Sequence, residues 1–119
     1  MSFKLDKNRP ICPQIEEIIC VQIANGTLTK DRKLASVREI ALSAGVNPNT
    51  VQKALESLER DGLIYSIRGS GWYAADSKQK AQDIVNTLVE KNTKKYFEEM
   101  RVLGYDTEQT KNLIKEWNL

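Results

Sequence analysis

The chain has 119 residues, 40% hydrophobic and 29% charged, with a formal net charge of +2. Those values suit one small globular domain, or a domain with an appendage, and exclude a strongly basic one. No apolar run approaches the roughly 20 residues of a membrane span, and Met1 to Asn8 has no signal-peptide core, so the expected address is cytoplasmic. Histidine is absent altogether, which removes the commonest general base and metal ligand; no enzyme, metal or cofactor is expected.

Residues 1–9 read as an extended polar arm. A first helix starts at Pro10 or Pro13 and runs to Asn25, with Ile11, Ile15, Ile18, Ile19 and Ile23 at helical spacing and Gly26 as its stop. Cys12 and Cys20 on that helix would lie about 12 Å apart, too far for a disulfide, so both are expected as free thiols. A polar connector with Lys30, Arg32 and Lys33 follows.

Ser36 then opens a short helix, with Glu39 completing a capping box and Val37, Ile40, Ala41 and Ala44 as the apolar stripe. Gly45 ends it. Asn47 caps a third helix with Pro48 in its first turn, running to about Arg60 on Val51, Ala54, Leu55 and Leu58. Helix, glycine-containing turn, helix is the helix-turn-helix pattern. The β-prone runs Leu63–Ile67 and Trp72–Ala75 flank a four-residue loop with two glycines, a hairpin signal, and a hairpin in that place is the wing of a winged helix. A long helix from Asp76 or Ser77 to about Leu103 and a last one from Asp106 to about Trp117 complete a mainly α chain with one small β-hairpin: an arm (1–9), a winged helix-turn-helix (10–75) and two C-terminal helices (76–119).

The charge excess lies in the middle of the chain, where residues 30–75 carry seven basic against five acidic side chains and the flanks balance. In a helix-turn-helix the N-terminal residues of the second helix enter the major groove, while hydroxyls, basic side chains and helix N-termini hold phosphates. That nominates Asn49, Gln52 and Lys53 as groove-facing, since Asn and Gln can pair with adenine in bidentate fashion and Lys can meet guanine acceptors. Thr50 and the capping Asn47 are placed at phosphate. Ser36 reads first as a cap and stays among the DNA-facing candidates with Arg38, one turn into its helix. Arg68 and Gly69 at the wing tip would approach the minor groove. Glu56 sets a limit, because a carboxylate pressed on phosphates opposes binding. Trp72 and Tyr73 are expected to pack the wing rather than stack on bases.

Leu34-Ala35-Ser36-Val37-Arg38-Glu39-Ile40-Ala41, Gly45-Val46-Asn47-Pro48-Asn49-Thr50-Val51, Leu58-Glu59-Arg60-Asp61-Gly62-Leu63-Ile64 and Arg68-Gly69-Ser70-Gly71 occur in one order and spacing that resembles the DNA-binding domain of GntR-family bacterial transcription regulators. The resemblance covers roughly residues 10–75 and supports Arg38 as a contact to base and phosphate. The two helices after the wing are similar to the YtrA-like branch, which implies a dimerisation role for them. Pro48 and Gln52 stand where many members of the family carry arginines that contact DNA, so base preference does not carry over there.

A helix of about 25 residues has an apolar side too broad for so small a chain to cover, and a second copy is the natural cover. Ile84, Val85, Leu88, Tyr96, Met100, Leu103, Leu113 and Trp117 are the expected dimer residues. A two-fold dimer predicts an inverted-repeat operator in double-stranded DNA. Only a dimer cleft could enclose a small-molecule effector among the aromatic residues. The leading reading is a homodimeric, sequence-specific transcription regulator, a repressor because so short a chain has little surface for recruiting polymerase. The alternative is a winged-helix module that binds protein without touching DNA.

Overall fold

The computed structural model describes residues 3–118. They form two compact units, Met1–Val85 and Asn86–Leu119. In chain order the elements are α1 (Ile11–Ala24), α2 (Val37–Ala44), α3 (Pro48–Arg60), β1 (Ile64–Ile67), β2 (Gly71–Ala74), α4 (Lys78–Val102) and α5 (Thr107–Glu116).

The first unit is a three-helix cluster closed by the hairpin. Ile15, Ile19 and Ile23 of α1, Ile40, Ala41 and Ala44 of α2, and Val51, Ala54, Leu55 and Leu58 of α3 are all buried in one core. Each full burial of such an aliphatic side chain contributes about 1.5 to 3 kcal/mol. α3 is also clasped to α1 by polar bonds at two levels: the Cys12 thiol donates to the Thr50 carbonyl at 3.2 Å, and the Ser57 hydroxyl donates to Glu16 at 2.6 Å.

β1 and β2 pair antiparallel, from Ile64 opposite Ala74 to Ile67 opposite Gly71, leaving a three-residue tip, 68–70, one shorter than the sequence suggests. Tyr65 and Tyr73 face each other in this register and stack at 5.6 Å, a cross-strand pair of the kind that stabilises hairpins. Trp72 packs against the core. The connector is less irregular than its composition implies. Lys33 bridges to Tyr73, with Leu34 N donating to Trp72 O at 2.9 Å and Asp31 N to Ala74 O at 2.8 Å, so residues 31–34 add a short third rung to the wing.

The arm differs from its expected extended, unattached form. Phe3 is only 4% exposed and belongs to the core, with Leu5 packed against it. Behind this lies Gln14, itself buried. Its Oε1 accepts from Asp6 N at 2.8 Å, and its Nε2 donates to the carbonyls of Asp6, Arg9 and Pro10 at 2.8, 3.2 and 3.0 Å. α1 has Pro10 as N-cap and no side-chain cap bond; the Gln14 amide fixes the entry to the helix instead. Met1 and Ser2 lie outside the described residues.

The start of α4 belongs to the same unit. Ser77 Oγ donates to Leu63 O at 2.8 Å, Ala81 is fully buried, and Ile84 and Val85 are half-buried against the core. Ile84 and Val85, expected on a dimer face, therefore pack on the winged helix of their own chain.

In the second unit α4 ends at Val102, and the turn that follows contains Gly104, whose φ of 93° is a left-handed conformation that suits glycine. Asp106 caps α5 in a reciprocal capping box with Gln109. Thr110 is fully buried, whereas Leu103 is 75% and Trp117 61% exposed. Tyr96, Leu113, Ile114 and Trp117 line a mostly apolar cavity of about 280 Å³. No helix among the described residues is long and apolar enough to cross a membrane.

Both cysteines are free. Burial, reinforced by the negative charge of Glu16, pushes the Cys20 thiol up to about 11, and burial raises Cys12 as well. Since the thiolate is the reactive form, the native protein at pH 8 should take up a thiol reagent slowly at Cys12 and barely at Cys20, with both labelled at once in denaturant. Mass spectrometry of the time course checks this; rapid native labelling of Cys20 would contradict its burial.

Candidate nucleic-acid interface

α2 begins where the sequence places it. Ser36 Oγ accepts from Glu39 N at 3.1 Å, and Glu39 Oε1 accepts from Ser36 N at 3.1 Å. Those bonds, first from the Ser36 backbone and then from its hydroxyl, hold the Glu39 carboxyl below the usual carboxylate range. The Ser36 hydroxyl is thus engaged with Glu39 in the cap, and any phosphate contact there would compete with that bond. Arg38, in the same first turn, is exposed, and its side chain has no hydrogen bond or ion pair among the described residues.

The turn to α3 is made by Gly45, left-handed at φ 68°, and its carbonyl accepts from Lys7 Nζ at 3.3 Å. The arm thus carries a cation to the helix-turn-helix corner, a placement that its polar sequence does not signal. Asn47 then caps α3, its Oδ1 accepting from Asn49 N at 2.8 Å, while Pro48 occupies the first turn without wasting a donor. The Asn47 side-chain amide hydrogens stay free for an acceptor outside the helix.

On α3 itself, the buried stripe of Val51, Ala54, Leu55 and Leu58 turns the other positions outward. Asn49, Lys53 and Glu56 are exposed, and Thr50 and Gln52 are half-buried. Gln52 Nε2 donates to Glu56 Oε1 at 3.1 Å. Thr50 is tied through its carbonyl to Cys12, so the first turn of α3 is braced from behind while its front is open.

At the wing, Arg68 and Gly69 are exposed. A Cβ at Gly69 would meet nothing within 4 Å, and its φ is +81°; backbone conformation, not space, calls for glycine there. A Cβ at Gly71 would come within 3.2 Å of the Lys33 side chain. The connector rung therefore sets Lys33 beside the hairpin, a second cation that periodicity could not locate.

Ser36, Arg38, Asn47, Asn49, Thr50, Gln52, Lys53, Arg68 and Gly69 all fall within the first unit, at the N-termini of α2 and α3 and at the wing tip. The expected dimer residues divide. Ile84 and Val85 are half-buried against the core of the first unit, while Leu88, Tyr96, Met100, Leu103, Leu113 and Trp117 lie in the second unit.

Residues 13–74 match the family described as "Bacterial regulatory proteins, gntR family". The chain is similar to the HTH-type transcriptional repressor YtrA of Bacillus subtilis, with 33% identity over 90% of this chain and 83% of YtrA. It is also similar to the solved structure of a GntR family transcriptional regulator from Listeria monocytogenes, with a TM-score of 0.79 and 34% identity, covering 96% of this chain and all of that one. Its winged helix further resembles the AraR DNA-binding domain solved in complex with operator ORX1, with a TM-score of 0.55 and 32% identity, covering 60% of this chain and 87% of that one. With half its length in the family's own domain and nearly all of it aligned to YtrA, the chain belongs to the GntR family of bacterial regulatory proteins, in its YtrA-like branch.

Proposed function

We propose that this chain is a sequence-specific transcription repressor that binds an inverted-repeat operator as a homodimer. The observation that carries the reading is the front of α3. Its buried stripe and its capped N-terminus leave Asn49, Gln52 and Lys53 turned outward, and Arg38 in the first turn of α2 is exposed with no side-chain partner among the described residues. Asn and Gln suit adenine, Lys and Arg suit guanine or phosphate, and Ser36, Asn47 and Thr50 supply hydroxyl and amide hydrogens for the backbone. Arg68 and Gly69 reach toward the minor groove, and Lys7 and Lys33 add positive charge at either edge. The regulator and repressor roles are supported by the names of YtrA and of the operator complex of AraR. Nothing comparable favours a protein-only module.

Dimerisation is read from the second unit, where Leu88, Tyr96, Met100, Leu103, Leu113 and Trp117, with the exposed Val89, Val102 and Ile114, offer more apolar surface than two helices can cover. A two-fold pair would set the half-sites about 34 Å, one helical turn, or a multiple apart. Contrary to the expectation that only a dimer cleft would serve, the cavity at Tyr96, Leu113, Ile114 and Trp117 forms within one copy, and a small apolar effector fits its volume, which is close to the roughly 300 Å³ lower bound of ligand sites.

The test is duplex binding against salt. Affinity should fall steeply and log-linearly as salt rises, with a slope that counts the phosphates neutralised. A protein that ignores duplex DNA at low ionic strength would defeat the proposal and favour the protein-interaction module.

A further inference from the structure

Glu56 is a poor residue to bring near phosphates, yet it lies one turn beyond Gln52 on the exposed front of α3, and the two are bonded: Gln52 Nε2 donates to Glu56 Oε1 at 3.1 Å. The chemistry fixes which end of the amide is engaged. A carboxylate only accepts, so it must meet the amide nitrogen and repel the amide oxygen. Gln52 is left with its Oε1 and one remaining N–H for anything that approaches α3.

We propose that Glu56 is a positioning residue for base recognition, holding the Gln52 amide so that it offers one donor and one acceptor together, the pattern of an adenine reader. Adenine presents the N7 acceptor and the N6 amino donor in the major groove, while guanine presents two acceptors, N7 and O6. An amide with one hydrogen already committed cannot give two to guanine. Glu56 thereby sets specificity through Gln52, and its charge lowers affinity for every sequence alike. The inference rests on the reading of α3 as the helix in the groove.

The experiment begins with selection of bound duplexes from a random pool by the full-length protein. The position at which Gln52→Ala loses its preference is identified, and binding of duplexes with adenine or guanine there is measured by fluorescence anisotropy. The wild type should prefer adenine by about tenfold or more, and Glu56→Ala should cut that preference to about threefold or less, while tightening binding to both duplexes. With Gln52→Ala already present, Glu56→Ala should leave the ratio unchanged. Both side chains lie on the outer face of α3, and an unchanged melting curve confirms that each variant is folded.

Equal tightening with an unaltered adenine-to-guanine ratio would reduce Glu56 to a plain charge and overturn the proposal. A ratio that shifts even without Gln52 would mean that Glu56 touches a base itself, for instance a cytosine amino group, and would overturn it as well. So would a selected operator with no position sensitive to Gln52→Ala. A selection that recovers no consensus at all removes the groove-reading of α3 together with the proposal, an outcome distinct from retained specificity that is indifferent to Glu56.

Discussion

Arg38→Ala should weaken binding to the selected operator by about thirtyfold or more, equivalent to about 2 kcal/mol, for loss of a good base or phosphate contact. It should shift the melting temperature by no more than about 2 °C, because surface positions without partners rarely change stability by more than about 0.5 kcal/mol. The asymmetry follows from placement. Arg38 is exposed in the first turn of α2, its side chain has no hydrogen bond or ion pair among the described residues, and alanine is at least as good a helix former. The salt dependence then tells which contact was lost. A phosphate contact lowers affinity for all sequences and reduces the salt slope by about 1, whereas a base contact relaxes preference at one position. A variant that unfolds, or one that binds as well as the wild type, would remove Arg38 from the interface.

A chain cut after Val85 should fold as a winged helix, sediment as a monomer and bind the full operator about 100- to 10,000-fold more weakly, since linked half-site binding gains effective concentration without new contacts. The position of the cut matters. Ending the chain at Ala75 would also strip the fully buried Ala81 and the half-buried Ile84 and Val85 from the core, together with the Ser77 bond to Leu63 O, and would mix lost stability with lost pairing. The comparison of the two truncations separates them: the longer one should keep the wild-type helical signal of the first unit, the shorter one should melt earlier. Dimers that persist in the longer truncation would place the interface outside α4 and α5.

Most of this architecture can be read in the sequence because its punctuation is explicit. Ser36 with Glu39, Asn47 with Pro48, Asp106 with Gln109, and the glycines at 45 and 104 act locally, and each cap or turn forms at its expected place. Features that depend on contacts distant in sequence are not legible in this way. Phe3 and Leu5 are two isolated apolar residues with no period, yet Phe3 is buried in the core and Leu5 packs against it, next to the Asp6 backbone that Gln14 holds from eight residues away. The rung at residues 31–34 is too short for a strand pattern. The apolar stripe of α4 shows the same spacing at Ala81, Ile84 and Val85 as at Leu88, before Asn92 and Lys95 interrupt it, so periodicity marks the face but cannot show that its first two turns are covered by the winged helix. For the interface itself, the caps foretell which residues of α3 point outward, whereas Lys7 and Lys33 reach the helix-turn-helix and the wing through the fold.

The two stripes of α3 have one more consequence. The buried positions 51, 54, 55 and 58 and the outward positions 49, 52, 53 and 56 interleave along the same thirteen residues without sharing a side chain. Substitutions on the outer set leave the core volume untouched and, as ordinary surface changes, fall within about 0.5 kcal/mol in stability. Duplicated copies of such a gene can therefore drift to new operators by single steps while every intermediate stays folded, and regulators that differ in target can coexist in one cell on an unchanged scaffold.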